Sequence, residues 1–396
     1  MRDVTRSNSA RGLAISLTVV LLGTASAANW TREFVDQSGT GKFSSMKIDR
    51  AGNAHLVYVV DDQPQTLKYA FWDHVLKRWF TMKVASGASF PSLALDSKQH
   101  PAISWADAGT ILGCKLHYTH WDGTSWKNET VPLAAETVAF YTYLALDRND
   151  APSMSFYEYN GPRGSGFRVR MRVATWTGKE WEVSTVDGQN QSGKFNSLAI
   201  DSKGHLHLAY ANVNAGTAGT RYGFWDGESW HVEEVDGLGH HTFQYVGYGV
   251  FIVLDKDGDP HISYLNYSNP GGVKYAFRKG GQWKVQTVDQ IARVGYPDRT
   301  ALALDDQRRP IVAYYDASQG TVKVAHLDGS AWLTETVDGG GCGYTPSLQI
   351  HGDTVWLSYA DEANRGIKVA RAPLAEFFQN RLSRAPEKAP ALSDHP

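Results

Sequence analysis

Trp30-Thr31-Arg32-Glu33-Phe34-Val35-Asp36 is one copy of a motif, Trp followed five residues later by Val. It recurs at Trp79/Val84, Trp126/Val131, Trp181/Val186, Trp230/Val235, Trp283/Val288 and Trp332/Val337. In five copies the residue after Val is Asp: Asp36, Asp187, Asp236, Asp289 and Asp338. A second motif, an apolar run ending in Asp, starts with Ser45-Met46-Lys47-Ile48-Asp49. It returns with runs ending at Asp96, Asp147, Asp201, Asp255 and Asp305, then closes with Ser347-Leu348-Gln349-Ile350 and His351 in the Asp slot. The two series are out of phase. The Trp series begins before the first apolar run, and the last apolar run has no Trp motif after it. A linear array of repeats needs no such arrangement, whereas a closed ring does.

Within each unit the order of segments is constant. The second unit runs Ser92-Leu93-Ala94-Leu95-Asp96, a polar turn, Pro101-Ala102-Ile103-Ser104-Trp105, a variable loop, Lys115 to Trp121, the turn Asp122-Gly123-Thr124-Ser125, and Trp126 to Val131. These are four short runs of period-two alternation, rich in β-branched and aromatic residues and bounded by turn formers. Asp-Gly at 122–123, 226–227 and 328–329 is a hairpin signal. Seven units of four antiparallel strands, here lettered A (inner) to D (outer), predict an all-β, seven-bladed β-propeller over residues 28–372. The seventh blade has A, B and C runs but no D, so Trp30–Val35 is expected to supply it and remove the exposed sheet edges.

The ends read differently. Arg2, Arg6 and Arg11 precede an apolar run from Leu13 to Gly23, then Ala25-Ser26-Ala27. That is the pattern of a secretion signal covering residues 1–27, and it predicts a secreted protein, periplasmic or extracellular, with no membrane insertion once the signal is cleaved. Removing three Arg and Asp3 with it moves the formal charge from −2 to −4. A mildly acidic chain argues against a nucleic-acid partner. Residues 373–396 are read as a short helix, from Pro373-Leu374-Ala375-Glu376-Phe377-Phe378, and a disordered tail. Cys114 and Cys342 either pair or stand as separate thiols.

The turns between C and D strands read Asp122-Gly123-x-x-Trp126, Asp226-Gly227-x-x-Trp230 and Asp328-Gly329-x-x-Trp332, with Thr177 and Lys279 replacing the Asp in blades three and five. In these turns and in its repeats the chain resembles the sialidase-like, or BNR-repeat, propellers, whose Asp-box is one residue longer between Asp and Trp. The resemblance covers residues 28–372 and rests on a structural hairpin, not on an active site. It implies the propeller fold and a superfamily that includes glycosidases, polysaccharide lyases and lectins. The arginine triad of sialidases has no match at positions of this sequence.

Residues repeated in every blade are read as architecture. The Trp series is expected to pack between sheets. His55, His207 and His261 share one B-strand slot, filled by Ala102, Ser153 and Ile311 elsewhere, and are read as structural. The Asp ending each A strand is expected to cap the A-to-B turn. Departures from the repeat are read as function. The A-to-B and C-to-D turns share one face and are short; the D-to-A and B-to-C loops share the other and vary, so that funnel is the expected ligand site. Two segments depart most: 237–249, with His240, His241, Tyr245 and Tyr248, and 157–168, with Tyr157, Tyr159, Arg163 and Arg168. Tyr296, Asp298 and Arg299 adjoin them, and Asp107, Asp316 and Asp361 share one B-to-C position.

Aromatic rings beside acids, amides and Arg suit a sugar, stacking on its apolar face while hydrogen-bonding its hydroxyls. The first expectation is a non-catalytic monomer that binds glycan or polysaccharide, without metal or cofactor. The second is a lyase, with Arg163 or Arg168 neutralising a uronate and His240, His241 or Tyr245 removing a proton, or a glycosidase using two of Asp107, Asp316 and Asp361. The third is an envelope protein-interaction scaffold. Similar pockets at several blade junctions would mark a lectin, and one asymmetric pocket an enzyme.

Overall fold

A computed structural model describes residues 27–108, 114–134, 137–160, 168–188, 192–213, 218–237, 246–267, 271–293, 295 and 299–378. Every strand in it lies in one of seven four-stranded antiparallel sheets. Blade one consists of Gly41–Ile48, Ala54–Val60, Thr66–Asp73 and Arg78–Ser86, in that spatial order. Blades two to six repeat the meander over residues 88–131, 137–187, 192–237, 246–289 and 301–338. The seven A strands line a central channel of about 600 Å³ with Ile48, Leu95, Leu146, Ile200, Leu254, Leu304 and Ile350. The architecture is the seven-bladed β-propeller that the two offset motifs require.

Blade seven contains Cys342–His351, Thr354–Asp361 and Gly366–Pro373, and its fourth strand is Thr31–Asp36 from the other end of the chain. Thr31 pairs with Arg371 and Phe34 with Lys368, antiparallel. Side chains reinforce the ladder. Arg371 bonds Glu33 at 2.7 Å, and the Lys368 ammonium lies 4.8 Å from the centre of the Phe34 ring. Trp30 is buried, donates its indole N–H to Glu335 of blade six at 2.9 Å, and meets Phe377 edge-on at 5.7 Å. Phe377 belongs to the helix Ala375–Phe378, so both termini of the propeller pack on one spot.

Adjacent blades are held together by three recurring contacts. The D-strand Trp of one blade packs edge-on against the C-strand Tyr of the blade before it: Trp126 on Tyr69, Trp181 on Tyr118, Trp283 on Tyr222 and Trp332 on Tyr275, all within 5.3 to 5.7 Å. Each of the five Asp after Val accepts a hydrogen bond from the buried B-strand Tyr of the next blade: Tyr58, Tyr210, Tyr264, Tyr314 and Tyr359, at 2.6 to 2.9 Å. A C-strand cation beside each Tyr (Lys68, Arg221, Lys274, Lys323 or Lys368) faces the same carboxylate. Where the Asp is missing, so is the Tyr: blade two has Trp105 and blade three Phe156 in that slot. Nearer the axis, Ser45, Ser92, Ser197 and Ser347 accept the backbone N–H of Leu93, Leu144, Ile252 and Met46 in the following blade.

The short turns are capped as their composition predicts. Asp49, Asp96, Asp147, Asp201, Asp255 and Asp305 each accept backbone N–H bonds from the A-to-B turn. Asp122 and Asp226 do the same in the C-to-D turns. Cys114 and Cys342 are buried and form no disulfide. Burial and the neighbouring Asp361 push the Cys342 thiol up to about 12.

Deleting residues 30–36 strips blade seven of its outer strand and leaves Glu335, Phe377 and the Lys368 edge uncovered. Loss of a buried Trp alone costs about 3–5 kcal/mol. The truncated chain is expected to lose its single cooperative thermal transition by circular dichroism, or to melt at least about 10 °C lower. A melting temperature within a few degrees of the full chain would contradict closure by this strand.

Candidate functional site

The face carrying the D-to-A and B-to-C loops is shaped by a defect repeated in the inner strands. In six blades the A strand carries an extra residue relative to the B strand, a β-bulge between Lys42/Ser45, Ser89/Ser92, Phe140/Tyr143, Lys194/Ser197, Tyr248/Phe251 and Tyr344/Ser347. The bulged residue adopts a left-handed backbone: Phe43 (φ 54°), Phe90 (φ 50°), Tyr141 (φ 53°), Phe195 (φ 49°), Gly249 (φ 59°) and Thr345 (φ 48°). Glycine takes this conformation freely, but a bulky L-residue pays about 1–2 kcal/mol. Four blades keep an aromatic residue there nonetheless.

The bulge turns these rings onto the variable-loop face, where they form a continuous arc. Phe43 meets Phe90 at 4.7 Å, Phe90 meets Tyr141 at 4.6 Å, Tyr141 meets Phe195 at 4.7 Å, and Phe195 meets Tyr248 at 4.9 Å. Tyr267 extends the arc from Tyr248 at 4.7 Å. Phe43, Phe90, Tyr141 and Tyr267 remain half-buried, while Phe195 and Tyr248 are buried. In blades one, three and four the residue after the bulge ties it to the previous blade: Ser44, Thr142 and Asn196 donate to the carbonyls of Thr345, Phe90 and Tyr141, and Thr300 of blade six donates likewise to Gly249. Beneath the arc, Tyr143 and Phe251 meet edge-on at 5.8 Å at the head of the channel. Polar groups border it. Lys42 lies 3.7 Å from Glu362 and 4.0 Å from Asp61, and the Lys194 ammonium lies 6.0 Å from the centre of the Tyr157 ring.

Several residues singled out in the sequence join this arc. Tyr157 is buried and meets Tyr141 at 6.2 Å, Tyr248 is one of its rings, and half-buried Arg299 is close enough to Tyr143 to favour that hydroxyl's ionised form against the burial that raises its pKa. Tyr159 lies half-buried in the same strand as Tyr157. Arg163, His240, His241, Tyr245, Tyr296 and Asp298 lie outside the described residues, as does the side chain of Arg168. Phe43, Phe90, Tyr141 and Phe195 were not singled out. Their signal is an aromatic residue three positions before the A-strand apolar anchor, as in Lys42-Phe43-Ser44-Ser45-Met46 and Lys194-Phe195-Asn196-Ser197-Leu198.

The repeated acids are committed elsewhere. Asp316 and Asp361 are buried, bonded to Lys323 at 3.0 Å and Lys368 at 2.7 Å. Asp107 pairs with His117 at 2.9 Å, and that imidazole stacks on Trp105 at 3.8 Å. Glu158 is held by Arg170 and Arg172 at 2.7 and 3.0 Å. These acids occupy four separate blades, and each is tied to its own cationic or imidazole partner. Burial by itself raises Asp316 and Asp361, but bonds from Ser318 and Lys323, and from Lys368 and Asn364, outweigh it and hold both carboxyls below the ordinary value. Asp36 is held low in the same way by Lys68, Tyr58 and Ser38. His55, His207 and His261 each bond a C-strand Tyr hydroxyl through Nδ1, and burial holds all three imidazoles below the usual histidine value.

No family model matches the chain, and no curated protein does. Solved structures do resemble it. The polysaccharide lyase Uly1 superposes with a TM-score of 0.53 at 10% identity over 83% of this chain and 89% of its own. An α-L-arabinanase of Penicillium chrysogenum complexed with arabinobiose gives 0.53 at 11% identity, over 87% and 98%. A mutant of AofleA from Arthrobotrys oligospora gives 0.52 at 14% identity, over 79% and 91%. At such identities the likeness establishes the fold, and the resemblance to sialidase-like propellers holds at that level.

The depressed carboxyls and imidazoles all bind fewer protons folded than unfolded, so stability falls as pH drops through each group's unfolded value. The urea midpoint is expected to be flat above about pH 7, to decline below about 6.5 as the three histidines are protonated on unfolding, and to fall steeply below about 4. A midpoint unchanged between pH 7 and pH 3.5 would contradict these pairings.

Proposed function

We propose that this is a secreted, carbohydrate-binding β-propeller whose ligand lies on the aromatic arc of the variable-loop funnel. The observation that carries the reading is the retention of Phe43, Phe90, Tyr141 and Phe195 in a left-handed bulge that glycine would fill at lower cost. Strained positions of this kind concentrate at ligand sites, because the side chain's use elsewhere offsets the backbone penalty. A curved row of half-buried rings suits the apolar faces of successive sugar units. Lys42, Asp61, Glu362 and Arg299 supply hydrogen-bonding groups beside it. Two proteins of similar fold are a polysaccharide lyase and an arabinanase complexed with arabinobiose, which accords with a saccharide ligand here.

Binding is favoured over hydrolysis because each of Asp107, Asp316 and Asp361 is already engaged by a cationic or imidazole partner. A glycosidase instead needs one carboxyl protonated as acid and another free as nucleophile or base. The alternative is lyase action, with Arg163 or Arg168 neutralising a uronate and His240, His241 or Tyr245 removing the proton.

Calorimetric titration against a panel of neutral and uronic polysaccharides is expected to yield at least one ligand. Phe43→Ala and Phe90→Ala are each expected to weaken it about tenfold, equivalent to about 1.4 kcal/mol. Unchanged affinity in both variants would remove the arc from the site. Absorbance of an unsaturated uronide, or new reducing ends, would turn the assignment towards a lyase or a hydrolase.

A further inference from the structure

On the face opposite the funnel, the junction of blades four and five holds a notch of about 300 Å³. Its floor is His207 and the Phe224 ring; its walls are Asp259 from an A-to-B turn, Arg278 from a C strand, and Gly280 and Gly281 from a C-to-D turn. The short turns of this face were read as scaffold, but here their side chains depart from the repeat. The same frame at the junction of blades one and two has His55 and Phe71 at its floor, and Met82 and Trp121 in the wall positions. At the junction of blades four and five Glu233 and Arg278 replace that apolar pair, and they form an ion pair at 3.1 Å. Chemistry has been exchanged in an unchanged framework, so the notch is not a packing gap that the repeat imposes.

His207 belongs to the fixed frame of the notch. The side chain is buried, with a relative exposure of 5%, and Tyr222 holds its Nδ1 at 2.7 Å. Its other nitrogen faces Asp201, but His205 already takes that carboxylate at 3.0 Å, leaving His207 Nε2 at 3.6 Å. That nitrogen is sealed from the notch and turned to the Asp201 carboxylate, as His55 is to Asp49 and His261 to Asp255, so the polar contacts open to a ligand are those of Asp259 and Arg278.

The geometry points to a second ligand site in this notch, taking one neutral sugar ring. The Phe224 ring offers the apolar platform, Arg278 offers donors, and the exposed Asp259 carboxylate offers an acceptor pair for vicinal hydroxyls. Charge selects against acidic ligands. Arg278 is neutralised by Glu233, and Asp259 leaves the site with a net negative charge, so a uronate or phosphate would be repelled. The volume fits a single pyranose and excludes the extended chain that the funnel arc would hold. The site stands independently of the funnel reading, since no residue is shared.

The test uses the whole protein and saturation-transfer NMR with methyl α-glucoside, methyl α-galactoside, methyl α-mannoside and methyl α-fucoside as probes, and sodium glucuronate as the acidic control. At least one neutral methyl glycoside is expected to bind saturably at millimolar concentration, with glucuronate at least tenfold weaker. Asp259→Asn, on an exposed turn, and Arg278→Gln are each expected to weaken that glycoside at least fivefold with thermal melts unchanged. Phe43→Ala and Phe90→Ala are expected to leave it unaffected. Absence of saturable binding by all four glycosides overturns the proposal. So does binding that Asp259→Asn and Arg278→Gln do not alter, binding abolished only by the funnel variants, or glucuronate binding as tightly as the neutral ring.

Discussion

Seven four-stranded sheets can share one axis only if the last is held to the first. Here that task falls to six residues, Thr31–Asp36, laid antiparallel on Gly366–Pro373. Without that ladder blade seven would present an open edge and an unpacked face, and each remaining junction would be one end of an open stack. With it, every blade has two neighbours, and the same three contacts can repeat around the axis. The closure therefore sets the geometry in which the Asp–Tyr–cation latch becomes useful. Each carboxylate at the end of a D strand reaches the buried hydroxyl of the following blade and a cation beside it. A phenol is expensive to bury without a partner, which explains why Trp105 and Phe156 fill the Tyr slot in the two blades whose predecessors supply no Asp.

A frame so regular makes its irregular positions informative. The A-strand bulges are regular in position, yet not in occupant. Gly249 sits in one without strain, whereas Phe43, Phe90, Tyr141 and Phe195 hold large rings in the same left-handed backbone. Mutual packing at 4.6 to 4.7 Å recovers part of that cost, and it also fixes the rings as a rigid surface with their outer faces towards the loops. Rigid aromatic surface is what saccharide recognition asks of a protein, because the ligand contributes weak contacts and little of its binding energy can be spent on ordering the site.

Both faces of the wheel carry departures of this kind. On the loop face they are additions of sequence; on the turn face they are exchanges of side chain at constant length, as where Glu233 and Arg278 stand in place of Met82 and Trp121. The second kind leaves no trace in loop lengths. It becomes visible only when equivalent positions of different blades are superposed, and it is why Arg278 and Asp259 did not stand out beside the long aromatic loops.

The sequence by itself determined the blade count, the order of strands, the closing role of Trp30–Asp36 and the capping duty of the A-strand Asp series. All of these follow from local periodicity, turn chemistry and the phase between two motifs, which are properties of neighbours along the chain. It also pointed to Tyr157, Tyr248 and Arg299, because they lie in or beside segments that break the repeat. The partners of Asp316 and Asp361 were a different matter: Lys323 and Lys368 stand on the adjacent strand, and only the register of the sheet shows that these acids are already paired. The arc from Phe43 to Tyr248 and the ion pair of Glu233 with Arg278 were likewise decided by tertiary structure. Residues about fifty positions apart become neighbours only once the wheel has closed, and whether a polar atom is satisfied depends on every group that folding brings around it.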